Sequence, residues 1–155
     1  MTAVFSNRGL RALALPVPTR EEAESRFVGK GMEEPRVETD KEIQELVGEL
    51  QRYFAGERVE FSVRLDLDGL TEWQKRVLMK AAGIPYGKVM TYGDLAAAVG
   101  SPGAGRAVGQ AMARNPVPIV VPCHRIVAAS GKLGGFSAGS DWKRKLLRLE
   151  GIEGF

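Results

Sequence analysis

Only one cysteine and one histidine occur in the 155 residues, and they are neighbours, Cys123 and His124. A single thiol closes no internal disulfide, and two adjacent ligands build no tetrahedral zinc site without distant carboxylates, so no bound metal is expected. Long hydrophobic runs are also missing. The apolar stretches over 95–99 and 117–123 fall far short of the roughly 20 residues that cross a bilayer. Arg11 interrupts the run from Leu10 to Leu15, and Pro16 and Pro18 follow, which leaves no continuous secretory core. These gaps point to an intracellular, cytoplasmic protein with no membrane partner. Internal repeats and low-complexity tracts are absent as well.

What is present is an ordinary globular composition, 44% hydrophobic and 26% charged, in a chain long enough to bury roughly two thirds of its unfolded surface without staples. Charge is unevenly spread. The net +3 divides into −4 over residues 1–70 and +7 over residues 71–155. A basic half is where an acidic polymer would sit, the plain alternative being a solvated basic face.

Two short strands are expected within 1–18, around a turn at Ser6-Asn7-Arg8-Gly9. A short helix over 19–27 and a loop over 28–38 follow. Thr39-Asp40-Lys41-Glu42 has the form of a capping box, and Ile43, Leu46, Val47, Leu50, Tyr53 and Phe54 recur at helical spacing up to Gly56. Residues 58–66 alternate through Val59, Phe61, Val63 and Leu65, the pattern of a half-buried strand. Thr71-Glu72-Trp73-Gln74 opens a helix that stops at Gly83, and Thr91-Tyr92-Gly93-Asp94 opens another that halts at Gly100. Ser101-Pro102 reads as a cap with proline at the first helical position, starting a helix over 102–114. Its Gly105 and Gly109 leave one face bare, open to a bulky partner or to tight helix packing. The last two helices have the form of a helix-turn-helix. A buried strand over 119–121, a glycine-rich loop over 130–140 and a final helix capped by Asp141 complete the chain.

The fold class is therefore α/β (α+β): a small N-terminal sheet-plus-helix domain, 1–70, then a mostly helical domain, 71–155, carrying a winged-helix-like DNA-binding helix-turn-helix.

A free thiol with pKa ~8.5 is only a few per cent thiolate at neutral pH, so a nucleophilic Cys123 needs a base or positive surroundings. His124, Arg125 and the basic half supply candidates. In an extended segment successive side chains point to opposite faces, which separates Cys123 from His124. A bridging water solves this if a carboxylate orients the far imidazole nitrogen. Glu150 is the candidate, the alternative being an exposed glutamate at a helix end. For Cys123 the alternative is an inert buried thiol.

Pro122-Cys123-His124-Arg125-Ile126 resembles the active-site signature of the methylated-DNA–protein-cysteine methyltransferases, the O6-alkylguanine-DNA alkyltransferase family. The similarity runs from Thr71 through Gly151 and includes Ile84-Pro85-Tyr86-Gly87, Thr91-Tyr92-Gly93, Arg106-Ala107-Val108-Gly109 and Asn115-Pro116-Val117-Pro118. The first 70 residues share only the general layout. Trp73 stands where phenylalanine is usual, and Phe136 where tyrosine is frequent.

The resemblance implies a DNA repair protein that everts O6-alkylguanine, mainly O6-methylguanine with O4-methylthymine as a further substrate, and moves the alkyl group to its own Cys123 in a single turnover. It implies that His124 deprotonates Cys123 through a water, that Glu150 orients His124, that Asn115 supports the cysteine turn, and that Arg125 ties the region together. Tyr92, Ser101, Arg106, Ala107 and Gly109 would face DNA, with Arg106 filling the vacated stack and Tyr92 assisting the departing guanine. Met112, Pro118, Ile126, Phe136 and Ser137 would line the base pocket. The implied partner is double-stranded DNA carrying O6-alkylguanine, with no cofactor, no metal and no obligate protein partner; the protein would be a monomer, nucleoid-associated when bound. Two rivals remain at this level: a cysteine hydrolase using Cys123 and His124, and a non-catalytic helix-turn-helix protein that binds DNA or damage and keeps a structural cysteine.

Overall fold

A hairpin opens the chain. Strand β1 (Thr2–Ser6) pairs antiparallel with β2 (Gly9–Ala14) across Asn7 and Arg8, with an irregularity between Val4 and Phe5. Gly9 adopts φ +139, and a Cβ there would lie 2.3 Å from the Arg64 carbonyl oxygen, so only glycine fits. The computed structural model describes residues 1–16 and 41–155. The expected helix over 19–27, the loop over 28–38 and the Thr39 cap lie outside these residues.

Helix α1 (Lys41–Phe54) buries Leu46, Glu49, Leu50 and Tyr53. Val47 and Phe54, placed on the apolar face by spacing alone, are exposed. The strand expected over 58–66 is not built. Its burial does alternate, with Val59 buried and Phe61, Val63 and Leu65 half-buried, yet the segment joins the hairpin at one bridge only, Leu10 to Leu65. The reason lies in what satisfies its backbone: the Ser62 N–H donates to the Glu49 carboxylate of α1, 3.1 Å, where a ladder would need a strand.

The chain divides into two compact units, Met1–Asp68 and Gly69–Phe155. In the second, α2 (Glu72–Ala82) and α3 (Tyr92–Ala98) both begin with a complete capping box, Thr71 with Gln74 and Thr91 with Asp94. A two-residue strand, β3 (Met90–Thr91), precedes α3 and pairs in parallel with β4 (Ile126–Val127). That pairing brings the residues just after the cysteine turn beside the start of α3.

Helix α4 spans Gly105–Ala113, and Ser101 does not cap it. Instead Ser101-Pro102-Gly103-Ala104 form a turn in which the Ala104 N–H donates to the Ser101 carbonyl, 3.1 Å. Gly103 sits at φ +86, a left-handed conformation that stops a helix from starting at Pro102. Helices α3 and α4 pack on each other and on α2, the helix-turn-helix arrangement. The bare strip of α4 is not open. A Cβ at Gly105 would meet the backbone and Cβ of Tyr92 at 3.7 Å, and one at Gly109 the Tyr92 ring at 3.8 Å.

Two further expectations are overturned. Residues 119–121 form a tight turn, closed by the Val121 N–H on the Val117 carbonyl, with Ile119 at φ +77. A left-handed β-branched residue costs of order 1–3 kcal/mol and persists only where its surroundings dictate it. The last helix, α5 (Ser140–Leu149), starts after Gly139 without a side-chain cap, so Asp141 lies inside its first turn. There it suits the positive end of the helix and pairs with Arg144 at 3.4 Å. Among the described residues no helix is long and apolar enough to cross a membrane.

Candidate active site around Cys123

Asn115 shapes the turn ahead of the cysteine. It follows α4, and its side chain does two backbone jobs at once: Nδ2 donates to the Val121 carbonyl at 2.9 Å, and Oδ1 accepts from the Val117 N–H at 3.0 Å. With three prolines in 116–122, few backbone donors remain to hold this segment, and a buried amide supplies the missing partners. The turn delivers the chain into a 3-10 helix, Cys123–Arg125. The extended geometry assumed from sequence is thus replaced by a tight turn, which gathers Cys123, His124 and Arg125 among buried groups.

Cys123 is 4% exposed. Burial pushes its pKa up to about 11, against the opposing pull of the Asn115 amide, the Lys143 ammonium and backbone N–H groups. At rest the sulfur is a thiol, and ionisation must accompany the reaction.

His124 is fully buried, and its Nε2 lies 2.7 Å from Glu150 Oε1. Burial lowers the imidazole pKa, and Arg125 and Lys143 lower it further, while Glu150 pulls the other way. The ring is neutral at pH 7. With a carboxylate accepting at Nε2, the proton belongs there, and Nδ1 is the basic nitrogen.

Glu150 is the C-terminal cap residue of α5 and 5% exposed, so the reading as an exposed terminal glutamate is set aside. Arg125 clasps its carboxylate from Nε at 2.9 Å and from Nη2 at 2.9 Å, and the Gly87 N–H donates at 3.1 Å. Arg125 also donates to the Ile84 carbonyl and lies 5.9 Å from the Tyr86 ring, whose hydroxyl donates to the Leu149 carbonyl at 2.8 Å. A two-pronged ion pair with every neighbour hydrogen-bonded is the geometry in which buried charges are tolerable. It locks the α2–β3 loop, the cysteine turn and the end of α5 together.

Sequence reasoning missed Lys143. Its ammonium is fully buried and donates to the Ile126 carbonyl and to the Gly135 carbonyl, the latter at 3.1 Å. Burial lowers its pKa to about 8, while the neighbouring Cys123 raises it. The signal was available: 143, 146, 147 and 150 recur at the spacing of one helical face, and Leu146, Leu147 and Glu150 are buried. The Gly87 N–H and Ile84 carbonyl, being backbone groups, leave no such mark.

Tyr92, first residue of α3, is half-buried; its hydroxyl donates to the Gly135 carbonyl at 3.3 Å and burial raises its pKa. Met112, Pro118 and Ile126 are buried, Phe136 is half-buried and Ser137 exposed. Arg106 is exposed in the first turn of α4, and Ser101, Ala107 and Gly109 are half-buried; these four stand outside the Cys123 network. Among the described residues no cluster of three or more histidine, cysteine or carboxylate side chains is arranged to hold a metal ion.

Comparison with known proteins agrees with this geometry. Residues 72–152 match the family described as 6-O-methylguanine DNA methyltransferase, DNA binding domain, and residues 5–67 match its ribonuclease-like domain. A methylated-DNA–protein-cysteine methyltransferase of Mycobacterium leprae is 53% identical over 106 residues, covering 68% of this chain and 64% of that protein. One of Methanosarcina acetivorans is 49% identical, covering 74% and 73%. The chain thus spans just under two thirds of the mycobacterial relative. The crystal structure of Mycobacterium tuberculosis OGT in complex with DNA superposes with a TM-score of 0.72 at 41% identity, covering 92% of this chain and 80% of that one. Two matched domains in chain order, joined to these levels of identity, show that the chain belongs to the 6-O-methylguanine DNA methyltransferase family.

Proposed function

We propose that this chain repairs O6-alkylguanine in double-stranded DNA by transferring the alkyl group to Cys123, once per molecule. The observation that carries the reading is the buried thiol set beside a neutral His124 whose far nitrogen is held by Glu150, on a unit built around a helix-turn-helix. The relatives named above support it: two are methylated-DNA–protein-cysteine methyltransferases, and one is OGT in complex with DNA.

The alkyl group of the lesion lies within the base stack, so the nucleotide must be everted, at a cost of a few kcal/mol. Arg106, exposed on α4, fills the gap it leaves, and Tyr92, Ser101, Ala107 and Gly109 form the surface around it. Met112, Pro118, Ile126, Phe136 and Ser137 receive the base. The thiol proton passes through a water to His124 Nδ1, and the imidazolium is stabilised by Glu150. The sulfur attacks the alkyl carbon, the S–C bond forms as the C–O6 bond breaks, and the departing guanine recovers a proton with help from Tyr92. The thioether offers no displaceable group, and the chain holds no second thiol. Residues 71–155 carry both DNA binding and alkyl acceptance, and residues 1–70 are structural.

Intact mass after mixing the protein with a duplex bearing O6-methylguanine tests this. The expected result is the gain of one CH2 unit, saturating at one per chain and absent in Cys123→Ser. An unchanged mass with tight binding to the damaged duplex selects the alternative of a non-catalytic damage-binding protein with a structural cysteine. Binding weakens steeply with salt, because the basic half supplies phosphate contacts.

A further inference from the structure

The last carbonyls of a helix have no partner inside it, and those of α5 are satisfied one after another. The Glu150 N–H donates to the Leu146 and Leu147 carbonyls at 3.1 Å each and the Gly151 N–H to the Arg148 carbonyl at 3.0 Å, after which the chain leaves through Gly151 at φ +75. The Leu149 carbonyl is met from a distant part of the unit: the Tyr86 hydroxyl, 63 residues away in sequence, donates to it at 2.8 Å. Its neighbour Gly87, at φ +74, donates its N–H to Glu150 Oε2 at 3.1 Å, and a Cβ there would stand 3.3 Å from the Glu150 carbonyl oxygen. The Arg125 guanidinium, which clasps the same carboxylate, lies 5.9 Å from the Tyr86 ring, within cation–π reach. One dipeptide therefore touches the backbone ahead of Glu150, its carboxylate and the cation paired with it.

We propose that Tyr86 is a positioning residue for the proton transfer: its hydroxyl fixes the Leu149–Glu150 peptide and, with the Gly87 N–H, aims the Glu150 carboxylate at His124 Nε2, so that Nδ1 stays the basic nitrogen. This rests on the reading of Cys123 as alkyl acceptor. Which imidazole nitrogen carries the proton is set by the bond made at the other one, and here that bond is the 2.7 Å contact of Nε2 with Glu150 Oε1. Arg125 grips both carboxylate oxygens, but it is the next residue after His124 and moves with the cysteine turn. Tyr86 and Gly87 belong to a different element, the α2–β3 loop, and supply the outside reference that the turn lacks. That loop is short and stiff. The Ile84 N–H closes on the Ala81 carbonyl at 3.0 Å, the Lys88 N–H on the Pro85 carbonyl at 3.2 Å, and proline fixes its own φ. A half-buried tyrosine has water within reach of its ring edge; this one directs its hydroxyl to the carbonyl that precedes the glutamate bound to His124.

His124 is the sole histidine, so the imidazole nitrogen NMR spectrum holds a single set of ring signals and reports the tautomer directly. Wild-type protein is expected to show the Nε2–H form at pH 7, a measurement that needs no variant to fold. Tyr86→Phe keeps the ring beside Arg125 and removes only the hydroxyl; it is expected to mix in the Nδ1–H form. Its limiting single-turnover transfer rate from an O6-methylguanine duplex is expected to fall by about 10-fold, part of the roughly 100- to 10,000-fold that a positioned acid–base group contributes. Duplex affinity by anisotropy is expected to stay as in wild type, because Glu150 and His124 are sealed from solvent. Tyr86→Leu, which removes the ring as well, is expected to lose more rate than Tyr86→Phe. A wild-type imidazole already protonated at Nδ1, a Tyr86→Phe protein that keeps the pure Nε2–H form or the full rate even if it melts earlier, or an affinity loss as large as the rate loss would each overturn the positioning role. Wild-type protein that gains no methyl would instead sink the reading of Cys123, and the tautomer comparison would still decide whether Tyr86 aims Glu150.

Discussion

Asp66 in the first unit and Glu150 in the second are both carboxylates sealed from solvent, 4% and 5% exposed, yet their partners differ in kind. Asp66 accepts from the Ser6 hydroxyl at 2.6 Å and from the Asp68 N–H at 3.1 Å, with the guanidiniums of Arg8 and Arg11 each 3.9 Å away and open to water. Those cations keep their hydration whether or not Asp66 is charged. Glu150 is met by His124 and Arg125, both themselves buried. Remove its charge, and Arg125 is left uncompensated inside the protein. Buried charge alone therefore does not mark a site; what marks it is a set of mutually dependent buried groups beside a nucleophile.

The largest expected effect exploits that dependence. Glu150→Gln should destabilise the protein by about 3–5 kcal/mol, the cost of orphaning a buried partner, whereas Asp66→Asn should cost about 1–3 kcal/mol for its lost hydrogen bonds. Urea unfolding of the two variants measures both. Equal losses would erase the distinction between the units. Glu150→Gln should also slow alkyl transfer without weakening DNA binding, because the carboxylate supports the imidazole and faces no phosphate.

Acid separates the units next. His124 is held below its ordinary 6.5 by burial, so between pH 6.5 and its lower folded value the unfolded chain binds a proton that the folded chain refuses. Stability that is full above 6.5 is then lost as pH falls through that window. For Asp66, burial raises the pKa, but the Ser6 hydroxyl, the Asp68 N–H and the two arginines outweigh it, and the net shift is below 3.8. Its contribution is present above 3.8 and lost only below. Hydrogen exchange across the pH range should show loosening first around Cys123–Arg125, starting below pH 6.5, with the hairpin yielding later. The reverse order would mean that His124 is not buried neutral.

How far the sequence already showed this depends on the kind of signal each feature leaves. Capping boxes at Thr71 and Thr91 are local side-chain chemistry, and both helices begin where those residues place them. Cys123, His124 and Asn115 lie within a short stretch, but an extended reading of it sets Cys123 and His124 on opposite faces, and the 3-10 turn that holds them came only with the fold. Glu150 is legible in the sequence only as a carboxylate near a helix end, and its hold on Arg125, Gly87 and His124 came only with the fold. The misreadings share a cause. At 119–121 an apolar β-branched run looked like a strand, but Asn115 captures the backbone on both sides of Ile119, at Val117 and Val121, and Ile119 turns left-handed between them. At 58–66 alternation marked burial correctly while saying nothing about whether a neighbouring strand was available to pair. Ser101-Pro102 carried a helix-start signal that Gly103, one residue on, cancels.

The smallest expected effects concern two glycines that approach the Tyr92 ring and separate a snug contact from a forbidden one. Gly134 holds φ +72, and a Cβ there would stand 2.9 Å from Tyr92 Cε2 and Oη. Gly134→Ala should therefore displace the ring, lowering stability and loosening the loop from α3, for a residue without glycine's freedom is strained at that backbone angle as well. Gly109 lies inside α4 at ordinary helical geometry, and its added methyl would meet Tyr92 Cδ1 and Cε1 at 3.8 Å, a normal packing distance. Gly109→Ala should raise stability by at most about 1 kcal/mol, the usual gain of alanine over glycine within a helix. Thermal melts of the pair give opposite signs if the ring sits between them as described. Two losses would place the ring closer to α4, and two gains would mean that the loop does not rest on Tyr92 in solution, removing the platform on which Lys143 holds Gly135.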